Sequence, residues 1–509
     1  MAKLTFAQRG FLASTALGSL AGMASLFVGA AGLTITMPGA AMAQEHHHHH
    51  HNNANNNANN NNNNNAAAAN AAADPGPRGG AAGAGGPLAG LNSAEVNFFN
   101  AAKAVFSEVD SVSGTITGEA GVGLGPRFNH NSCAGCHLQP DVGGSSPNPN
   151  TQPQFGKLDG ATNTVPSFIT ANGPTREVRF PLNPDGTPDG GVHDLFTITG
   201  RTDATQGGHT CKIDQPDFAG AVAANNIIFR TPTPTFGLGL VENTSDSNLQ
   251  AAFDGAPGKA AAGVSGHFNH SGNDGTITRF GWKAQNKSLL IFAGEAYNVE
   301  QGVTNNAFGN TRENDPNCQF NGDPESPIPM TPGTSGTPAD FQEDIENFAA
   351  YMRFLAPPTP ASTQMAAAGG HGVAAAAAGA AAASAGQTTF TNIGCASCHV
   401  PSQTTANSVF TGQSMVTYQP YSDFACHNMG TGLADRVSQG GCGGQEFRSA
   451  PLWGVGQRLF LLHDGRTADM VEAIHQHAST GSEANGVVNA YDQLSTTDQQ
   501  NLLDFLRSL

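Results

Sequence analysis

Apolar residues at helical spacing indicate the clearest helix of the chain, which ends just before Pro357 and Pro358. Residues three and four positions apart lie on one face of a helix, so this face should pack against a core. Proline cannot continue a helix, which explains why the pattern stops there. The apolar stripe consists of Phe341, Ile345, Phe348, Met352 and Leu355.

Two further helices are predicted toward the ends of the chain. One runs from Ser93 to about Glu108, and the other begins at the capping pair Ser495 and Asp498. Long Gly/Pro/Asn-rich stretches with a few short strand-like runs separate these helices. The predicted fold class is therefore mainly α with extensive irregular structure. The last helix should bury the stripe of Leu502, Leu506 and Leu509.

Residues 1–43 have the pattern of a signal peptide. A cationic start with Lys3 and Arg9 precedes an apolar run, and the triplet Ala41-Met42-Ala43 offers a cleavage site. The apolar run is long for a signal, so an uncleaved anchor is the alternative. No later segment offers about 18 uninterrupted apolar residues. We expect cleavage, no stable membrane insertion afterwards, and a periplasmic or secreted location, where disulfides are permitted.

Two low-complexity tracts divide the rest of the chain. Residues 44–87 hold the run His46–His51, an Asn/Ala tract and a Pro/Gly/Ala stretch, a composition that predicts disorder. The histidines are either a purification tag or a natural metal-collecting tract. Residues 357–387 are Ala-rich and are predicted to be a linker or insertion, with an Ala-rich helix as the alternative. The folded regions are then 88–356 and 388–509.

The charge balance excludes one class of partner. The 509 residues include 22 Lys and Arg against 39 Asp and Glu, which gives a formal net charge of −17, and only 12% of the residues are charged. Nucleic-acid binding requires a Lys/Arg-rich surface that neutralises phosphates. We therefore predict no nucleic-acid partner, and a macromolecular partner should be basic.

Two C-x-x-C-H motifs, Cys133 to His137 and Cys395 to His399, decide the predicted chemistry. Two thiols at this spacing can form thioethers with one haem, and the adjacent His meets the iron from the same side. A zinc site would need the Cys pairs closer together, and a thioredoxin-like pair would need a βαβ setting. We predict two covalently bound haems c, with His137 and His399 as iron ligands. The predicted attachment residues are Cys133, Cys136, Cys395 and Cys398.

Four cysteines remain, an even number that predicts two disulfides in an exported protein. Placing one disulfide in each folded region pairs Cys211 with Cys318 and Cys426 with Cys442. Four cysteines allow three pairings, and a catalytic free thiol is the alternative. Further iron ligands could come from the other histidines or from methionines. The methionines in the second region are Met415, Met429 and Met470.

Four stretches around the motifs carry a family resemblance. They read GLGPRFNHNSCAGCHLQPDVGGSSP, DLFTITGRTD, RFGWKAQNKSLLIFAGEAYNVEQGVTN and EFRSAPLWGVGQRLFLLHDGRTADMVEAIHQH. From about residue 88 to residue 509 the chain resembles the di-haem oxidoreductase family of peroxidase-type proteins, also labelled thiol oxidoreductases. More distantly it is similar to bacterial di-haem cytochrome c peroxidases and to the di-haem enzyme that matures methylamine dehydrogenase.

That resemblance implies two cytochrome c-like haem domains that face each other, often with a calcium ion between the haems. It implies a small oxidant as substrate of one haem and a small electron-donor protein as partner of the other. The expected function is a di-haem peroxidase-type oxidoreductase whose His137 haem reacts with hydrogen peroxide or a related oxidant. The alternatives are a non-catalytic electron-transfer cytochrome and a di-haem oxygenase such as the rubber-cleaving enzymes.

The resemblance also implies an axial ligand and a group that holds the haem. The peroxidases carry a Met ligand downstream of an HDG segment. Here that segment begins at His463 and the matching position is His477, with His475 as the neighbouring alternative. Ligation of the second haem by His399 and His477 would lower its potential relative to a His/Met pair. His463 and Arg466 would hold a propionate or backbone rather than iron.

A distal glutamate is the last implied group. The peroxidases use one in a VEMG-like segment to move a proton, and the matching text here is VEQG, which contains Glu300. Glu300 is therefore the predicted catalytic residue, with Glu295 as second candidate, because a positioned carboxyl suits acid–base cleavage of an O–O bond. Trp282 and Trp453 are candidates for lying between or beside the haems, or for ordinary aromatic core.

Overall fold

The computed structural model describes residues 71–206, 209–326, 343–361 and 373–509, and all of these belong to one compact unit, Asn64–Leu509. The predicted signal peptide, the run His46–His51 and Phe341 lie outside the described residues. No helix among the described residues is long and apolar enough to cross a membrane.

Short helices joined by irregular segments make up most of the described structure. The α-helices are α1 Ser93–Phe106, α2 Cys133–Cys136, α3 Gln152–Phe155, α4 Phe218–Ala223, α5 Leu238–Glu242, α6 Asp246–Asp254, α7 Lys259–Ala262, α8 Leu289–Gln301, α9 Asp344–Phe354, α10 Val373–Asn392, α11 Gly430–Leu433, α12 Met470–His475, α13 Asn485–Asp492 and α14 Thr496–Ser508. Single 3-10 turns cover Leu158–Gly160, Pro316–Cys318, Cys395–Ser397 and Val455–Gln457.

The strands pair two by two into small sheets, and among these pairs only β1 with β2 is parallel. Strand β4 pairs with β8 in a register that places Glu177 opposite Arg230. Strand β13 pairs with β14, which places Cys426 opposite Arg448. The strands are β1 Asp110–Ser111, β2 Gly121–Val122, β3 Arg127–Phe128, β4 Glu177–Arg179, β5 Phe196–Thr197, β6 Thr205–Gln206, β7 His209–Thr210, β8 Ile228–Arg230, β9 Asn269–His270, β10 Ile277–Thr278, β11 Gln403–Thr404, β12 Thr417–Tyr418, β13 Cys426–Asn428 and β14 Glu446–Arg448.

The helices predicted from apolar spacing are present. Helix α9 buries Ile345, Phe348 and Met352, and Leu355 follows it as a buried cap. Helix α1 covers most of the segment predicted from Ser93 onward. At the start of α14 the Ser495 hydroxyl accepts a hydrogen bond from the Asp498 amide, as the capping pair predicts. Its leucine stripe is buried: Leu502, Leu506 and Leu509.

The main apolar core joins α1, α8 and α9 with residues from much later in the chain. Tyr418, Phe424 and Trp453 belong to the same cluster of buried side chains. The predicted regions 88–356 and 388–509 therefore share a core. Their description as two cytochrome c-like domains stays a prediction.

The Ala-rich segment forms a helix where the structure describes it, which agrees with the alternative to a linker. Helix α10 packs along α14, and at Gly386 an added Cβ would lie 1.9 Å from the backbone oxygen of Asn501. Small side chains on α10 let the two helix backbones approach closely. Residues 362–372 of the predicted linker lie outside the described residues.

The described end of the tract predicted as disordered, residues 71–87, is ordered. The Nε of Arg507 on α14 donates to Asp74 at 2.8 Å, and both side chains are 4% exposed. A buried guanidinium needs a carboxylate partner, and Asp74 supplies it. Further hydrogen bonds join Ala73 to Gln500 and Ala81 to Gln457, and the low-complexity composition indicates none of these long-range contacts.

Both predicted disulfides are confirmed. Cys211 is bonded to Cys318, and Cys426 is bonded to Cys442. The remaining four cysteines, which belong to the two C-x-x-C-H motifs, are free thiols.

Candidate functional site

Each C-x-x-C-H motif lines a cavity of its own. Cavity 1 contains Cys133, Cys136 and His137 in its wall, and cavity 2 contains Cys395, Cys398 and His399. Cavity 1 has a volume of about 150 Å³ and cavity 2 of about 210 Å³.

Local backbone geometry turns each motif toward its cavity. The first motif forms the one-turn helix α2 and the second forms the 3-10 turn Cys395–Ser397, so both cysteines of a motif lie on neighbouring turns beside their histidine. Burial raises the pKa of all four thiols, to about 12 for Cys395.

The two motif histidines share one hydrogen-bond arrangement. Nδ1 of His137 lies 3.0 Å from the Gly144 carbonyl oxygen, and Nδ1 of His399 lies 3.0 Å from that of Tyr421. A carbonyl can only accept, so Nδ1 carries the proton and Nε2 keeps its lone pair. Burial lowers the pKa of both imidazoles to about 4, so both are neutral near pH 7. Both rings are suited to bind a metal through Nε2.

His477 has the same arrangement and lines cavity 2 together with His399. Its Nδ1 lies 2.7 Å from the carbonyl oxygen of Ala473, one turn back in α12. Burial lowers the pKa of His399 most, and a positive charge on His477 would lower it further. The two imidazole rings therefore lie close to each other. His475 lies outside the cavity, and its Nε2 is 2.9 Å from Asp492. The tertiary structure thus favours His477 over its sequence neighbour.

Two arginines in the wall of cavity 2 have no acidic partner. Arg448 and Arg458 are 6% and 9% exposed. Nε of Arg448 donates to the Gly281 carbonyl oxygen at 2.8 Å, and neither guanidinium forms an ion pair with a described residue. Burial lowers the pKa of each to about 10. Buried cations without a counter-ion fit a ligand that brings carboxylates, and a haem brings two propionates.

Arg466 and His463, the two residues predicted to hold a haem propionate, differ from each other in their position relative to cavity 2. Arg466 does not line either cavity, and its guanidinium pairs with Asp464 at 2.7 Å and donates to the Gly432 carbonyl oxygen. His463 does line cavity 2, where its ring stacks on Phe447 with centroids 4.2 Å apart. A role of Arg466 toward haem stays a prediction.

Cavity 1 is far more polar than cavity 2. Glu300 and Glu295, the two predicted acids, both line it, together with Glu177 and the arginines Arg179 and Arg230. Burial and the negative charge of Glu177 raise the pKa of Glu300 well above its usual range. Glu295 accepts a hydrogen bond from the side-chain amide of Asn286. Of the two, Glu300 has the properties of a general acid at neutral pH.

No described histidine other than His137 offers a free ring nitrogen to cavity 1. His130 also lines it, but its Nδ1 accepts from the amides of Asn131 and Ser132, and its Nε2 lies 3.0 Å from the Thr151 hydroxyl. Phe106 packs beside the His137 ring and also contacts Phe348. Met352 follows Phe348 by one helical turn, so Met352 lies on the same side of cavity 1 as His137. The side of cavity 1 that faces Glu300 lacks a second nitrogen ligand among the described residues.

Trp282 is the only described residue that lines both cavities. It is 9% exposed, and its ring lies edge-on to that of His463 with centroids 6.3 Å apart. Trp453 is buried in the main core and lines neither cavity. Of the two tryptophans considered for a position between or beside the haems, only Trp282 remains a candidate.

The family resemblance implies a calcium ion, but no cluster of acidic side chains marks a site for it in the described part of the chain. No group of three or more His, Cys, Asp or Glu side chains there is arranged to hold a metal ion. Calcium stays a prediction of the resemblance.

Comparison with known families identifies the class of the C-terminal part. The model of the family described as "Di-haem oxidoreductase, putative peroxidase" matches residues 365–509. This segment holds the second C-x-x-C-H motif, both unpaired arginines and His477. Residues 365–509 are therefore similar to the di-haem oxidoreductase family, whose description indicates haem cofactors and a peroxidase-like activity. A search of curated proteins found no match.

Several residues of the two cavities carry no signal that spacing or motif could reveal. Glu177 and Arg230 lie outside the stretches that carry the resemblance, and Arg448 and Arg458 lie inside the last of these stretches without having been singled out. Two features of the sequence could have drawn attention to Arg458. Arginines are rare in this weakly charged chain, and Arg458 stands in the apolar run VGQRLFLL. A charge inside such a run suggests a buried ion with a specific partner.

Proposed function

We propose that this chain is an exported di-haem c-type oxidoreductase that reduces hydrogen peroxide or a related small oxidant. The observation that carries the proposal is the pair of cavities, each lined by one C-x-x-C-H motif, with Trp282 in the wall of both. Covalent attachment, two domains of cytochrome c type and a small electron-donor protein are parts of the same proposal. The two disulfides support an oxidising compartment such as the periplasm.

Cavity 2 is suited to electron transfer. Cys395 and Cys398 would attach the haem, and His399 and His477 would supply its iron ligands. Arg448 and Arg458 would neutralise its propionates. When two strong ligands occupy both axial positions, the iron exchanges electrons without binding substrate. The apolar remainder of this cavity excludes water, which stabilises the ion pairs.

Cavity 1 is suited to chemistry. Cys133 and Cys136 would attach the haem, and His137 would supply one axial ligand. A haem with one protein ligand keeps a position at which a small oxidant can bind. Glu300 then holds a proton in the wall of the cavity, and Arg179 and Arg230 provide hydrogen-bond donors and positive charge near developing negative charge. Trp282 connects the two cavities as a route for electrons.

The decisive experiment is steady-state reduction of hydrogen peroxide by the purified protein with an artificial electron donor, beside Glu300→Gln. We expect turnover by the wild type and a loss of about 10²–10⁴-fold in the variant. A pyridine haemochrome assay on denatured, acid-acetone-washed protein should show two bound haems. If the assay shows no covalently bound haem, the proposal fails.

Spin-state spectroscopy separates catalysis from plain electron transfer. EPR spectra of the oxidised and the half-reduced protein should show one low-spin haem and one haem that becomes high-spin in at least one state. Two low-spin haems that ignore peroxide in both states would indicate the electron-transfer cytochrome. Oxygen uptake with a hydrophobic substrate and no peroxide turnover would indicate an oxygenase.

A further inference from the structure

Two carboxyl groups meet in the wall of cavity 1. Glu300, at the end of α8, and Glu177, in strand β4, both line this cavity, and their side chains lie within hydrogen-bonding range of each other. A hydrogen bond between two carboxyl groups requires a proton on one of them. Like charges at this distance also prevent both groups from being ionised together. The geometry therefore demands a shared proton.

The surroundings decide which carboxyl group carries the proton. The Arg179 guanidinium pairs with Glu177, and the register of β4 with β8 places Arg230 opposite it. Burial raises the pKa of Glu177, but the two positive charges outweigh burial and lower it overall. Glu300 meets the negative charges of Glu177 and Asp194, and its pKa is raised. The proton of the pair is therefore placed on Glu300, and Glu177 is the carboxylate.

Other charged and titratable groups around the pair are few. Asp194 pairs with Arg312, whose Nη1 lies 2.7 Å from Oδ1, and burial raises the pKa of Asp194 to about 6. The thiols of the first motif carry no charge, because burial raises their pKa. The other groups whose charge acts on the pair are Arg179, Arg230 and Asp194, and Glu295 acts on Arg179.

Peroxide reduction needs a group that both accepts and donates a proton. The overall reaction combines one hydrogen peroxide with two protons and two electrons to give two waters. To break the O–O bond, one oxygen must lose its proton and the other must gain one, so that the first water can leave. A protonated Glu300 on its own can donate but has no site for the first proton. A carboxylate beside it provides that site.

We propose that Glu177 and Glu300 act as one pair that shares a single proton, so that cavity 1 can take a proton from peroxide and return one to it. Glu177 acts through Glu300. As the O–O bond breaks, the proton lost by one oxygen enters the pair and the proton of Glu300 passes to the other oxygen. The pair ends with the same number of protons. The two electrons come from the donor protein of the proposed function, on which this inference rests, and the two further protons come from solvent.

The pair predicts a pH profile that a structural role of Glu177 would not give. In the wild type, activity should fall at low pH as Glu177 is protonated and at high pH as Glu300 is ionised. In Glu177→Gln the negative neighbour is gone while Arg179 and Arg230 remain, so the pKa of Glu300 falls. The alkaline limb should then move to lower pH and the acidic limb should disappear. At neutral pH we expect kcat to fall by about 10²-fold or more.

The test uses the full-length holoprotein and three amide variants. Glu313→Gln is the matched control, because Glu313 is also paired with an arginine, Arg127, but does not line either cavity. Infrared spectra without peroxide should show the carbonyl band of a protonated carboxylic acid in the wild type and in the control. Difference spectra against the wild type cancel the bands of other protonated acids such as Asp110 and Glu325. In these spectra the band of Glu300 should be lost in Glu300→Gln, and near neutral pH it should also be lost in Glu177→Gln, where Glu300 ionises.

Each outcome bears on the inference. Glu177→Gln with an unchanged pH profile, an unchanged infrared band or kcat within twofold of the wild type would overturn it. If Glu177→Gln loses haem, Glu177→Asp is used as the test variant instead. Because Glu177→Asp keeps a carboxylate, both the acidic and the alkaline limb of its pH profile should be preserved. If the wild type reduces no peroxide, the proposed function fails, while the infrared spectra still decide whether the proton is shared.

Discussion

The indole nitrogen of Trp282 donates a hydrogen bond to the backbone carbonyl oxygen of Thr231 at 2.9 Å. The Thr231 amide in turn donates to the carbonyl oxygen of His463 at 2.7 Å. These two bonds fix the indole ring in the wall between the cavities. A rigid aromatic ring that borders both sites is well placed to carry electrons from one to the other.

Replacing this ring should slow electron transfer without removing either haem. In Trp282→Phe we expect the rate of electron transfer between the haems to fall about tenfold or more, which is about 1.4 kcal/mol on the barrier. Stopped-flow reduction followed at the two haem bands measures it. Trp453→Phe is the control, since Trp453 is equally buried and lines neither cavity. Equal rates in the two variants would contradict a relay through Trp282.

The second axial ligand of cavity 2 can be tested by three substitutions. His477→Ala should convert a low-spin haem to high-spin, and His477→Met should keep it low-spin but raise its potential. His475→Ala should change neither property, because its ring faces Asp492 outside the cavity. EPR and spectroelectrochemical titration measure both effects. A wild-type EPR spectrum from His477→Ala would show that another residue binds this iron.

The unpaired arginines should control the potential of the haem in cavity 2. Arg448→Met and Arg458→Met each remove a positive charge and a charge-assisted hydrogen bond of about 1.5–3 kcal/mol. The potential should fall in both variants, because the reduced haem loses stabilisation. Arg466→Met is the comparison, as that guanidinium pairs with Asp464 instead. A larger fall in Arg466→Met than in the other two would restore the prediction made from the sequence.

Asp435 holds the buried charges between the two cavities together. Its two oxygens accept from Arg230 at 2.7 Å and from Lys283 at 2.9 Å, and the side chains of Asp435 and Lys283 are fully buried. Asp435→Asn would remove the carboxylate that pairs with both buried cations. We expect the free energy of unfolding to fall by about 3–5 kcal/mol.

Chemical denaturation of the holoprotein measures this change. Asp274→Asn is the control, because Asp274 pairs with Lys287 at the surface. Solvent screens such a pair, so its loss should not be measurable. Similar changes in the two variants would show that the buried network contributes no more than a surface ion pair.

Local sequence patterns determined much of what is seen. Helices α1, α9 and α14 follow from apolar spacing and capping residues, because both act between residues a few positions apart. The C-x-x-C-H motifs also work locally, and each brings two thiols and an imidazole to one cavity wall. Nothing in the composition of residues 71–87 indicated the ion pair of Asp74 with Arg507, because that contact spans most of the chain.

The sequence by itself determined the kind of chemistry, since the spacing within each motif is covalent geometry that no fold can alter. Only the tertiary structure decided which distant groups serve it. It brought Glu177 to Glu300, left Arg448 and Arg458 without acids, turned His477 toward His399 and His475 away, and put Trp282 rather than Trp453 between the cavities. The reason is that burial and charge pairing depend on residues far apart in the chain.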